Sequence, residues 1–66
     1  MPFIDVQLYE DRLDKETEAE LIARLTDAVA EVFGPAAAEQ TWIALHGVPR
    51  RRWGIGGKPG TPVAAG

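Results

Sequence analysis

The sequence predicts an α+β chain in which one long helix joins two parallel strands and a short hairpin follows. Three observations carry the prediction. Residues 2–9 place Ile4, Val6 and Leu8 on one face of a strand and Phe3, Asp5, Gln7 and Tyr9 on the other. Residues 15–33 carry apolar side chains at three- and four-residue spacing. Residues 41–48, TWIALHGV, return to a strand pattern. A crossover of roughly 30 residues through a helix is what a parallel strand pair needs, and such crossovers are right-handed.

Each element has local reasons. Pro2 opens the first strand, where a missing N–H costs nothing because the first residue need not donate to the ladder. Residues 10–13 form a polar connection that carries Arg12. Asp14 is placed to cap the helix by accepting from the free N–H groups of its first turn. Glu16, Glu18 and Glu20 follow near the positive end of the helix dipole. Leu21, Ile22, Leu25, Ala28, Val29, Val32 and Phe33 make one broad apolar stripe, read here as core. Gly34 ends the helix and Pro35 cannot continue it. The stretch PAAAEQ holds at most a short turn. In the second strand Thr41, Ile43 and Leu45 face one way, and Trp42, Ala44, His46 and Val48 the other. Pro49 ends it. Glycines at 54, 56, 57 and 60 then predict a hairpin, and residues 58–66 are expected to form a loose C-terminal arm.

With 66 residues, the chain is expected to be a single domain, residues 1–66, too small to be stable without help. It has no cysteine, which removes disulfides and thiolate metal sites, and the single His46 cannot build an all-histidine site. Oligomerisation is the remaining support. Hydrophobic content of 45% fits apolar surface kept for other subunits. A two-stranded sheet under one helix cannot close a core, but two such units pair edge to edge into four strands. The net charge of −3 disfavours non-specific nucleic-acid binding. No apolar run approaches the ~20 residues of a membrane span, and the N-terminus lacks signal-peptide character. A soluble cytoplasmic protein is the expectation.

Among residues able to do chemistry, Pro2 stands out. Removal of Met1, normal when the next side chain is small, leaves a secondary amine at the start of a strand. An α-amino group titrates near ~7.7–8.0, and an apolar site or a nearby cation lowers that value. A neutral amine near pH 7 is a competent general base and a competent nucleophile toward carbonyls. The segment WGIGGKPG contains G-x-G-G but opens no helix, so it is no dinucleotide loop. His46 reads as a half-exposed strand residue. The arginines 50–52 have two readings: anion binding, or a solvated turn paired with acids of a neighbour. The acidic balance of the chain favours the second.

The proline start with its strand, MPFIDVQLYEDR, the amphipathic helix, the second strand and WGIGG together resemble the 4-oxalocrotonate tautomerase family of the tautomerase superfamily. The likeness covers residues 2–57. It implies a β-α-β subunit assembled as a hexamer, a trimer of dimers, whose sheet is completed by oligomerisation. It also implies a cofactor-free isomerase that moves a proton between keto and enol forms of a small 2-oxo or enol carboxylic acid. Position by position, Pro2 corresponds to the catalytic base. Arg12 corresponds to the arginine that holds a substrate carboxylate, and Trp53 to the aromatic that keeps the pocket apolar. Tyr9 lies where the backbone or an ordered water meets the substrate. The family's second arginine falls near Trp42, so Trp42 is expected to pack beside the substrate. Arg50, Arg51 or Arg52 could supply that cation from a shifted position. The departure points to a smaller or less charged substrate. Hydration, dehalogenation and decarboxylation use the same proline in relatives, and a non-catalytic subunit that partners a paralogue is the reading from another functional class.

Overall fold

A computed structural model describes residues 1–60 of the chain. Strand β1 (Phe3–Tyr9) is followed by a 3-10 turn (Glu10–Arg12), helix α1 (Lys15–Phe33) and a short helix α2 (Pro35–Glu39). Strand β2 (Trp42–Val48), a second 3-10 turn (Arg50–Arg52) and a hairpin of β3 (Gly54–Ile55) and β4 (Lys58–Pro59) complete it. Lys58 and Pro59, the start of the segment expected as a loose arm, are therefore hairpin residues. Residues 61–66, the rest of that segment, lie outside the described residues.

The expected β-α-β unit is present. β1 and β2 are parallel and in register, with Phe3 opposite Trp42 and Tyr9 opposite Val48. Pro2 stands one residue before the strand, as its missing N–H requires. Its carbonyl accepts from the Trp42 N–H at 2.9 Å, which begins the ladder. Thr41 is not part of β2 because its N–H still serves α2, bonding Ala38 O at 3.1 Å. The PAAAEQ stretch is a full helical turn rather than a bend, started by Pro35 at its first position.

Asp14 caps α1 through a reciprocal box. Its Oδ1 accepts from Thr17 N at 2.9 Å, and Thr17 Oγ1 accepts from Asp14 N at 2.9 Å. The backbone donor is the main reason the Asp14 carboxyl sits below its ordinary value of 3.8. Ile4, Val6 and Leu8 of β1, Ile43 and Leu45 of β2 and Leu21, Leu25 and Val29 of α1 are the half-buried apolar residues of these three elements.

No described residue is fully buried. The helix stripe is accordingly core only in part: Ile22, Val32 and Phe33 remain 41%, 72% and 73% exposed. Two strands are too narrow to cover a stripe that wide. The far face of the sheet, with Phe3, Asp5, Gln7, Trp42 and His46, is also exposed. The accessible surface is 5180 Å², against about 4,100 Å² for a compact monomer of this mass. The chain extends 42 Å along its longest axis. One strand edge on each side of the sheet is unpaired among the described residues. Among the described residues, no helix is long and apolar enough to cross a membrane.

Candidate active site

The five residues singled out from the sequence fall into two groups at opposite ends of the sheet. Pro2 and Trp42 share the N-terminal end of the two strands, joined by the Trp42 N–H to Pro2 carbonyl bond. Tyr9, Arg12 and Trp53 share the C-terminal end. β1 has seven residues, and a strand rises ~3.3 Å per residue, so roughly 20 Å or more separates Pro2 from Arg12. One chain does not bring Pro2 and Arg12 together.

The Pro2 end is apolar. Trp42 and Phe3 pair across the ladder and are 60% and 62% exposed. Met1 is exposed beside them. Phe3 and Trp42 leave exposed apolar surface beside Pro2. On the outer sheet face beyond this pair, His46 Nε2 meets Asp5 Oδ1 at 2.5 Å. His46 is half exposed and engaged there, as a strand residue.

The other end gathers cations among the acids Glu10, Asp11, Asp14, Glu16 and Glu18. Arg12 closes the first 3-10 turn, Lys15 starts α1, and Arg50, Arg51 and Arg52 form the second turn. Arg12 is exposed and lines a cleft of about 320 Å³ together with Leu8, Leu13, Thr17, Glu20, Leu21 and Arg24. Leucines with cations beside them suit an organic anion: the body rests on the leucines and the carboxylate meets a guanidinium. Arg24 is already paired with Glu20 at 2.8 Å along the helix. The turn carrying Arg12 lies close to β2 because position 47 is glycine. A Cβ there would stand 3.2 Å from Leu13 Cδ1 and 3.3 Å from Glu10 Cα.

Trp53 packs edge-on against Tyr9, with ring centroids 5.2 Å apart and planes at 62°. Its indole Nε1 is buried without a hydrogen-bond partner among the described residues. Arg50 lies across the other part of the Tyr9 ring, its Cζ 3.6 Å from the centroid. Its guanidinium forks onto Asp11, Nε to Oδ2 at 2.6 Å and Nη2 to Oδ1 at 3.2 Å. Arg50 thus pairs with an acid of its own chain, which corrects the expectation of a partner on a neighbour. It is also 12% exposed, too enclosed to replace the arginine missing at position 42. Sequence reading did not find this pair, since Asp11 and Arg50 are 39 positions apart and no short motif links them.

Comparison with known proteins places the chain in a family. The tautomerase enzyme family model matches residues 2–61. The chain is 38% identical over 58 residues to a 2-hydroxymuconate tautomerase of Comamonas testosteroni, covering 86% of this chain and 87% of that one. It is 31% identical over 58 residues to a probable tautomerase K2 of Dickeya dadantii (strain 3937), covering 88% and 85%. No solved structure matches it significantly. A β-α-β unit without a closed core, a proline ahead of its first strand and a match over nearly the whole length lead to one assignment: the chain belongs to the tautomerase family and is an isomerase of the tautomerase type.

Proposed function

We propose that the chain, after loss of Met1, uses the Pro2 amine as the general base for keto–enol proton transfer in a small 2-oxo or enol carboxylic acid. The carrying observation is the placement of Pro2. It is one residue from the chain start, pinned by the Trp42 N–H at 2.9 Å, and flanked by the exposed apolar residues Phe3 and Trp42. While Met1 is attached the Pro2 nitrogen is an amide and has no basic lone pair. Once freed, the neutral amine takes the enol hydroxyl proton and returns a proton to carbon, a 1,3- or 1,5-shift that leaves the base unchanged. Arg12 holds the carboxylate and draws electron density toward it, while Trp53 and Tyr9 limit water at that end. Trp42 borders the amine in place of a second cation. The step consumes no cofactor.

The two ends of the sheet meet only between subunits. The apolar end of one copy faces the cationic end of another, so the site is shared. A homo-oligomer supplies that contact, and a hexamer built as a trimer of dimers is the assembly that also pairs the free strand edges.

The test is direct. Pro2→Ala, and separately a form that retains Met1, should lose about 10²–10⁴-fold in the ketonisation rate of phenylenolpyruvate. Intact mass establishes which form is assayed. Full activity in both variants rules the proline mechanism out.

A further inference from the structure

We propose that Arg50 is a positioning residue: it locks Tyr9, the Arg12 turn and Trp53 into one unit, so that Arg12 and Trp53 meet the substrate in a fixed relation. The inference rests on the proposed carboxylate role of Arg12.

Three contacts converge on this one side chain or its backbone, and a fourth joins two of its partners. The guanidinium grips Asp11 by two nitrogens, and Asp11 is the residue immediately before Arg12 in the same turn. A bidentate fork fixes orientation as well as distance. The same guanidinium plane covers Tyr9 at 3.6 Å, and Tyr9 is the last residue of β1, directly before that turn. Tyr9 in turn holds the Trp53 ring. Finally the Arg50 carbonyl accepts from Trp53 N at 3.1 Å. Asp11, Arg50, Tyr9 and Trp53 therefore form a continuous stack that brings residues 9–11 against residues 50–53. The stack ends at Gly60, where a Cβ would stand 2.8 Å from the Arg50 carbonyl and 3.2 Å from Tyr9 Oη. Arg12 itself is exposed and has a long, flexible side chain. Its backbone is held by Thr17 Oγ1, which donates to the Arg12 carbonyl at 3.3 Å, and by the neighbouring residue's fork.

A lysine does not reproduce this. It is a point charge with no planar fork and no flat face to lay on tyrosine. The geometry thus separates positioning from charge.

The experiment compares Arg50→Lys, Arg50→Met and Asp11→Asn on phenylenolpyruvate and on its neutral methyl ester, with Arg12→Ala as reference. Asp11 is half exposed, so Asp11→Asn opens the fork without stranding a buried group and guards against a misfolded Arg50 variant. Each of the three variants should raise KM for the acid about tenfold, the scale expected when a binding group is displaced without being removed. Because Arg12 also draws electron density toward the carboxylate, kcat for the acid should fall as well, while KM for the ester should move less than KM for the acid. The double variant Arg50→Met/Asp11→Asn should be no worse than either single one, because both open the same fork. Equal losses on acid and ester, an unchanged KM in Asp11→Asn, or full rescue by lysine each overturn the positioning role. If Arg12→Ala leaves the acid's KM unchanged, the carboxylate role of Arg12 falls and takes this inference with it. If only the Arg50 and Asp11 variants are silent, the inference alone falls.

Discussion

Pro2 and Arg12 stand at opposite ends of β1, separated by the seven residues of the strand. At ~3.3 Å per residue that is roughly 20 Å, far beyond the reach of one small substrate. An enzyme that uses both must draw them from different copies of the chain. The bare sheet face, the exposed ends of α1 and the excess surface over a compact monomer fit the same requirement. A two-fold axis meets this requirement, since it sets one end of each copy against the other end of its partner; a heterologous contact meets it only where the rotation closes into a ring.

Subunit complementation tests this sharing. Pro2→Ala and Arg12→Ala should each be weak alone. Unfolded together in equal amounts and refolded, they should recover about one quarter of the wild-type kcat/KM, because half the sites receive an intact proline and half of those an intact arginine. Mixing the folded variants without subunit exchange should recover nothing. If both residues came from one subunit, the refolded mixture would stay at the level of the weak parents.

Trp42 should control the basicity of the freed amine. Its indole pairs across the ladder with Phe3 beside Pro2, and an apolar wall disfavours the ammonium form. Trp42→Ala opens the site to water, which raises the amine pKa and moves the acid limb of kcat/KM to higher pH by about half a unit to one unit. Trp42→Arg places a cation there instead, and the limb should move to lower pH. Both profiles are measurable with phenylenolpyruvate. Shifts of the same sign in the two variants would separate Trp42 from the base.

Asp14 gives a stability prediction with a definite sign. Its pKa is lowered in the folded chain, chiefly by the Thr17 backbone N–H. The unfolded chain therefore takes up the proton first as pH falls, and stability drops. The contribution is complete above the ordinary value of 3.8 and is lost as pH falls through the lower folded value. Asp14→Ala should lower Tm at neutral pH and narrow its difference from wild type in acid, followed by circular dichroism between pH 7 and pH 2. An equal gap at every pH would mean that the carboxylate is not what caps the helix.

Much of this fold was legible in the sequence because its signals are local. Asp14, the apolar spacing, Gly34 and Pro35 mark both ends of α1, and the helix runs from Lys15 to Phe33 as expected. The strands each begin one residue later than pattern suggests. Pro2 has no N–H to give, and Thr41 is still occupied with α2. The division of the helix stripe was not legible, since whether Phe33 is covered depends on how many strands lie beneath it. The candidate site was legible as a set of residues but not as an arrangement. Position along the chain does not reveal that Pro2 and Arg12 stand at opposite ends of β1. Nor does it reveal that Asp11 belongs to Arg50, because that contact exists only once β2 has returned beside β1.

Gly60 should be the most sensitive glycine of the C-terminal segment. Its N–H bonds the Trp53 carbonyl at 2.9 Å, and the Cα faces the Arg50 carbonyl and the Tyr9 hydroxyl. A methyl group here would come within 2.8 Å of the Arg50 backbone oxygen, so the hairpin must shift away from the stack. Gly54 has open space where a Cβ would go and φ outside the left-handed region, which makes Gly54→Ala the matched control. Gly60→Ala should cost about 1–3 kcal/mol, lower Tm by several degrees and alter near-ultraviolet circular dichroism from the Tyr9–Trp53 pair. Gly54→Ala should leave both close to wild type. If the two alanines behave alike, the approach of residue 60 to Arg50 is not maintained in solution, and Trp53 is held by the subunit contact instead.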